Sequence, residues 1–354
     1  MDLIEHRNIK TTLLAAALLF PAASSLAAPT TTSSTVPLHV ERFVPGTEQI
    51  IPEQASLKIL AQGYHWVEGP VWYQNQLLFS DIPDNTIYSW TPDSGVHVFA
   101  KKTGYQGSAP FAGIEPGSNG MAVDPEGRLT IAGHARRMVF RLNGSHYSDG
   151  ITTLAMRYQG KLLNSPNDLI YKNDGSLYFT DPPYGLETQS DKDPKKQLKV
   201  DGVYRIIAAS QYAGGSAKKP VLQQLVTDLP RPNGIAFSAD EKYLYVSNSE
   251  PQKIWMRYPV KADGSLGKGQ VFYDASHDPQ RGNPDGMAVD QDNHLFSAGP
   301  GGVWVFSPEG QHLATLSIPE KVGNVTFGGQ DRQTLFITAT DKVYAIHLNV
   351  AGLH

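Results

Sequence analysis

The 354-residue chain contains no cysteine. That absence removes disulfides, thiolate metal sites, iron–sulfur clusters and cysteine nucleophiles together. An excess of charge of one sign is missing too: 30 Lys and Arg stand against 34 Asp and Glu, a formal net charge of −4. Nucleic-acid binding needs a basic face, and neither half of the chain supplies one. No apolar run beyond Phe20 is long enough to span a bilayer, so neither nucleic acid nor membrane is an expected partner. A Gly-x-Ser-x-Gly elbow is lacking, which argues against a serine hydrolase of that type. No P-loop or dinucleotide fingerprint follows a strand, and no convincing helical period occurs past the N-terminal region. Disorder is excluded by what is present, since 40% of residues are hydrophobic and only 18% charged.

The N-terminus reads as an address. Arg7 and Lys10 precede the apolar run Leu13–Phe20, and small residues follow to Ser25-Leu26-Ala27. A basic segment, a short apolar segment and small residues before a cleavage point describe a secretory signal peptide over 1–27. The Ala/Pro/Thr/Ser-rich stretch 28–37 is expected to be a flexible tail, and 38–350 a single folded unit. The expected location is outside the cytoplasm, periplasmic or secreted, where a chain without cysteine has nothing to mispair.

The rest of the chain repeats. Glu68-Gly-Pro-Val-Trp72, Asn119-Gly-Met-Ala-Val-Asp124, Asn167-Asp-Leu-Ile-Tyr171, Asn233-Gly-Ile-Ala-Phe237, Asp285-Gly-Met-Ala-Val-Asp290 and Asn324-Val-Thr-Phe-Gly328 share one form. Each opens on a polar residue and runs on as a short β-type segment. Turns such as Asn173-Asp-Gly175 and a second strand follow closely, which is a hairpin signal. A third strand comes later, as in Ile87–Trp90, Val203–Ile206 and Val303–Phe306. The leading residues are 51, 48, 66, 52 and 39 apart. A period near 50 residues with about four strands is a propeller blade. The expected fold is therefore all-β, a six-bladed β-propeller with four-stranded blades. The long interval holds polar insertions at 185–199 and 208–219, and Leu38–Leu60 is expected to supply a strand that closes the ring beside the last blade.

The first strand of a propeller blade lines the central channel, so Glu68, Asn119, Asn167, Asn233, Asp285 and Asn324 are expected at one channel mouth. Asn-Gly and Asp-Gly also make turns, but Glu68-Gly-Pro is a poor former of that turn. Two carboxylates and several amide oxygens are hard donors. They suit one divalent cation, Ca²⁺ first, with Mg²⁺, Mn²⁺ or Zn²⁺ as alternatives.

These phrases, with Ser165-Pro-Asn-Asp-Leu169, Phe179-Thr-Asp-Pro-Pro-Tyr-Gly185, Arg231-Pro-Asn-Gly234 and Asn283-Pro-Asp-Gly-Met287, make the chain resemble the senescence-marker-protein/gluconolactonase/luciferin-regenerating-enzyme family. The likeness runs from about 60 to 346. It implies a cation held by Glu68, Asn167, Asn233 and Asp285, and hydrolysis of sugar lactones. In the related diisopropylfluorophosphatase branch it implies hydrolysis of organophosphates. Two positions depart from the family: Ser165 stands where some animal members carry a substrate-contacting Arg, and Gly133 precedes His134 where Glu is usual.

The expected chemistry is hydrolysis of a small-molecule lactone by water, with the cation polarising the carbonyl. Asp285 and Glu68 are the catalytic candidates, Asp285 being base, nucleophile or ligand. Asn119, Asn324 and His134 are expected to contact substrate, His134 having a structural role as its alternative. Asp181 and Tyr184 either reach the pocket through a loop or form a rigid turn. A phosphotriester hydrolase or a non-catalytic sugar-binding propeller would use the same fold. The five tryptophans are expected to pack between blades.

Overall fold

The computed structural model describes residues 30–208 and 220–353; the expected signal peptide over 1–27 and most of the 208–219 insertion lie outside them. Six antiparallel sheets form a six-bladed β-propeller. Blade 1 consists of Val67–Tyr73, Gln76–Asp81, Thr86–Thr91 and Gly95–Lys101. Blade 2 consists of Met121–Val123, Leu129–Gly133, Met138–Leu142 and Ile151–Ala155. Blade 3 runs through Leu169–Tyr171, Leu177–Asp181, Gly202–Ile206 and Leu222–Val226, and blade 4 through Pro232–Phe237, Tyr243–Asn248, Ile254–Pro259 and Gln270–Asp274. Blade 5 contains Met287–Val289, Leu295–Gly299, Gly302–Phe306 and His312–Ser317. Blade 6 contains Val322–Gly328, Thr334–Ala339, Lys342–His347 and, from the other end of the chain, Ser56–Gln62.

Closure is more extensive than the sequence implied. Ser56–Gln62 pairs with Lys342–His347 as expected. In addition, Val40–Arg42 pairs with the outer strand of blade 5. Thr30–Pro37, expected as part of a flexible tail, is a strand on the outside of blade 6, with Val36 opposite Leu57. The unpaired edge of Ser56–Gln62 offers backbone donors and acceptors that this segment satisfies.

The six apolar clusters found among the described residues lie one at each interface between neighbouring blades. Strand alternation makes this work, because successive side chains face opposite neighbours. In blade 1, Leu77 and Phe79 join Leu60 and Phe336 of blade 6, while Leu78 joins Ile131 and Phe140 of blade 2. In blade 3, Tyr204 faces blade 2 and Val203 faces blade 4. Both faces of each blade are thereby buried, which explains near-continuous apolar runs such as Gly302–Phe306. Tryptophan follows the same rule at two joints: Trp72 stacks on Phe336 at 5.5 Å and Trp255 on Trp304 at 5.4 Å. Among the described residues no helix is long and apolar enough to cross a membrane.

Candidate active site

The channel mouth is assembled by a repeated backbone device. The residue that opens each inner strand sits beside that of the next blade, and the residue after it donates across the gap. Gly120 N–H donates to Asn167 O at 2.8 Å, and Gly286 N–H donates to Gly323 O at 2.9 Å. The approach is too close for a Cβ at most of these second positions. A Cβ on Gly69 would stand 2.0 Å from Asn119 O, one on Gly120 2.7 Å from Asn167 O, and one on Gly234 2.2 Å from Asp285 O. The glycines after Glu68, Asn119, Asn233 and Asp285 therefore seat neighbouring blades against each other instead of making turns.

Second strands brace the same ring. Hydroxyls of Ser80, Thr180 and Ser247 donate to the carbonyls of Asn119, Asn233 and Asp285 in the following blade, at 3.0, 2.7 and 2.9 Å. The next residue in each case, Asp81, Asp181 or Asn248, turns back and accepts from the backbone that enters its own inner strand. Asp181 accepts from Asn164 N–H and Ser165 N–H, both at 2.8 Å. It is fully buried and does not line the cavity. The expectation that Asp181 contacts substrate is corrected on this geometry: its carboxylate is used up in holding the segment that carries Asn167.

A cavity of about 490 Å³ opens over the ring and is lined by Glu68, Asn119, Asn167, Asn233 and Asp285, with Tyr184 on its wall. Five of the six expected leading residues thus converge. Asn324 does not line it. The hydrogen bond from Gly286 to Gly323 shows that Gly323 holds the leading place in blade 6 and Asn324 the second place. Asn324 instead reaches across beneath the ring, its amide 3.5 Å from Asp168 Oδ2 and near enough to Glu68 to favour its charged form. Asp168 occupies the position that glycine takes in four other blades. Together they fill the channel below Glu68.

Tyr184 reaches the cavity by way of the loop after blade 3's second strand and stands on its wall with Ser249. Ser249 Oγ accepts from Asn233 Nδ2 at 3.0 Å and donates to Pro284 O at 2.8 Å. That fixes the Asn233 amide with its oxygen free for a ligand. His134 is corrected as a wall residue: it is completely buried behind the cavity, with Nε2 2.8 Å from Glu115 Oε2. A side chain at Gly133 would meet Phe140 at 2.9 Å, so position 133 faces into the blade. Trp66 lines the cavity under the Lys321 ammonium, 5.0 Å from its ring, and so departs from a purely packing role.

The electrostatics of the ring are those of crowded, buried carboxyl groups. Burial raises the Glu68 carboxyl well above the usual range, opposed by the Gly69 N–H bond and reinforced by Asp168 and Glu115. Burial raises Asp285 as well, the Glu68 charge adds to it, and the Lys321 ammonium opposes it. Burial pushes Asp168 up to about 6. Among the described residues none of the three has an ion pair within 4 Å. The Asn119 Oδ1 atom is buried without a hydrogen-bond partner. Desolvated carboxylates and an unpartnered amide oxygen fit a divalent cation with oxygen ligands, which would supply the missing positive charge. A second acidic group, Asp290, Asp292 and His294, lies at the far end of blade 5's inner strand. There Asp290 accepts from Asp292 N–H, His294 N–H and the His294 ring, which makes it a turn clasp.

Residues 66–341 match the family model described as SMP-30/Gluconolactonase/LRE-like region. The chain belongs to this family. It is 35% identical over 327 residues to a gluconolactonase of Zymomonas mobilis, covering 88% of this chain and 87% of that one. A gluconolactonase structure from Xanthomonas campestris superposes with a TM-score of 0.73 at 31% identity, covering 90% of this chain and 96% of that one. A luciferin-regenerating enzyme shares the fold at 18% identity, with a TM-score of 0.63 over 90% of this chain and 99% of that one. The acidic residues Glu68, Asp168 and Asp285 lie inside the matched span. Sequence reasoning passed over Glu115, Ser249 and Lys321, which stand in loops outside the repeat. It also passed over Asp168, although a break in the Asn-Gly pattern marks that position.

Proposed function

We propose that this protein is a hydrolase that opens a sugar lactone of the gluconolactone type, with a divalent cation, Ca²⁺ first among candidates, held by Glu68, Asn167, Asn233 and Asp285. The observation that carries the reading is the set of buried, unpaired carboxylates and amide oxygens turned into one cavity. Kinship with gluconolactonases supports the substrate class. When bound, the cation supplies Lewis-acid polarisation of the lactone carbonyl.

The protein's own residues divide the remaining work. Glu68 is held, since its Oε2 accepts from Gly69 N–H at 2.9 Å. The Asp285 carboxylate accepts no hydrogen bond in that way, so it is the group free to take a proton from the attacking water. The water oxygen bonds to the carbonyl carbon, the ring C–O bond breaks, and the ring oxygen leaves with a proton. Asn119 Oδ1 and the Tyr184 hydroxyl offer an acceptor and a donor to the sugar hydroxyls.

The test is a screen of metal-loaded protein against aldonolactones, acyl lactones and aryl phosphotriesters. Hydrolysis of aldonolactones that is lost on chelation and restored by a divalent cation is the expected result. Unchanged activity after chelation, or full rate in Glu68→Gln and Asp285→Asn variants, would sink the site assignment. We also propose export through the 1–27 segment; N-terminal sequencing of protein from the producing cell would find Ala28 or a near neighbour first, and an intact Met1 would refute it.

A further inference from the structure

The loop between blades 1 and 2 brings one carboxylate to the cavity that no repeat position supplies. Glu115 lies on the cavity wall, its side chain 18% exposed. Behind it sits His134, completely buried. The ring is held at both nitrogens. Nε2–H donates to Glu115 Oε2 at 2.8 Å, because a carboxylate can only accept, and Nδ1 stands 3.3 Å from Pro166 O. Gly185 closes over the imidazole: a Cβ there would stand 2.7 Å from the ring, so only glycine lets the Tyr184 loop seal it from water. Pro166 precedes Asn167, so one buried ring ties the Glu115 loop to the segment that carries an expected cation ligand.

A purely structural strut would bury its carboxylate entirely. Here only Oε2 is engaged, and Glu115 keeps a face on the cavity. Glu68 and Asp285 line the same cavity. A carboxylate whose second oxygen is free, and whose position is fixed by a buried imidazole, is an acceptor suited to hydroxyl groups. Asn119 Oδ1, a second unpartnered acceptor, faces the same volume.

We propose that Glu115 is a specificity-determining residue that accepts a hydrogen bond from a ring hydroxyl of a polyhydroxylated lactone, and that His134 is the residue that positions it. This rests on the lactone-hydrolase reading of the site. It separates two substrate classes that share the reacting carbonyl. An aldonolactone presents hydroxyls to Glu115, while an unsubstituted aliphatic lactone presents none.

The experiment compares glucono-δ-lactone with δ-valerolactone in the full-length protein, and measures binding of gluconolactam, a hydroxylated ring that is not a lactone. In Glu115→Gln, the ratio of kcat/KM for gluconolactone over valerolactone falls roughly tenfold, chiefly through KM, as expected for one lost charged hydrogen bond. Gluconolactam affinity falls by a similar factor. His134→Leu lowers the same ratio, His134→Gln recovers part of it by keeping an N–H donor, and His134→Leu adds nothing in the Glu115→Gln background. A ratio that stays constant in Glu115→Gln overturns the proposal, as does an additive double variant. Should the wild type open no lactone yet bind gluconolactam through Glu115, the activity assignment fails and the subsite stands. No gluconolactam binding by the wild type refutes the subsite itself.

Discussion

Gly323 makes the room that the Glu68 carboxylate occupies. A Cβ at 323 would lie 2.5 Å from Glu68 Oε1. Blade 6 thus contributes an absence to the ring: where blades 1 to 5 offer oxygen donors, it offers the space in which the longest of those donors turns. The pairing is mutual, because a shorter acid at 68 would not need the gap.

Gly323→Ala is the direct probe of this packing. The clash falls on the far end of a side chain and not on backbone, so the cost to the fold should be about 1–2 kcal/mol. The carboxylate must move by about an ångström, and kcat/KM with the cation should fall at least about tenfold. Denaturant unfolding beside cation titration checks both arms. Loss of stability with retained affinity would show that Glu68 is not held where described.

Gly69→Ala should behave oppositely. Its φ is +51°, which costs a side chain about 1–2 kcal/mol, and its Cβ would stand 2.0 Å from backbone, Asn119 O. Neither blade can yield there without moving an inner strand. A loss of roughly 2–4 kcal/mol is expected, read as a lowered melting temperature with or without cation.

Asp181→Ala removes a buried acceptor from two backbone amides, Asn164 N–H and Ser165 N–H. Two unsatisfied buried donors cost about 1–3 kcal/mol each. The expected variant is clearly destabilised, and Asp181→Asn, which keeps one acceptor, recovers part of the loss. A substrate-contact role would instead change KM at unaltered stability.

His312 sets an acid limit. It stacks on Trp304 at 3.9 Å, and its Nε2 lies 3.1 Å from Ala314 O. Burial lowers its pKa to about 4. The unfolded imidazole protonates near 6.5, so between about 6.5 and 4 the unfolded state binds more protons than the folded one. Stability contributed at neutral pH is therefore lost as pH falls through this window, by on the order of 1–3 kcal/mol after allowing for partial exposure. In His312→Phe, which keeps the stack, the melting temperature should vary less between pH 6.5 and 4. An unchanged slope would exclude His312 as a source.

The blades were legible because their inner and middle strands face two neighbours and therefore carry apolar residues on both sides, as Leu77-Leu78-Phe79 does. The ring residues were legible through repetition. Asn324 was displaced by one place because Gly323 and Asn324 both precede a β-type run, and only the backbone bond from Gly286 chooses between them. Thr30–Pro37 resembled a linker because its strand character comes from the edge it meets, not from its own apolar content. Glu115 and Lys321 were hidden for a different reason. Their positions depend on how two loops fold over the channel, and no period marks a loop.

The strand Ser56–Gln62 has a consequence for how the chain comes into being. Ile59 pairs with Tyr344, so a residue near the start of the ring waits for one made only after five blades have emerged. Blades 1 to 5 can assemble in order as they emerge, but the circle cannot shut until the final strands arrive. Until then Ser56–Gln62 is an open edge searching for a partner, and such long-range pairing is slow. The early strand on the outside of blade 6, Thr30–Pro37, already covers the opposite edge of Ser56–Gln62 with the chain's own backbone. During the wait a second molecule could dock only on the side reserved for Lys342–His347.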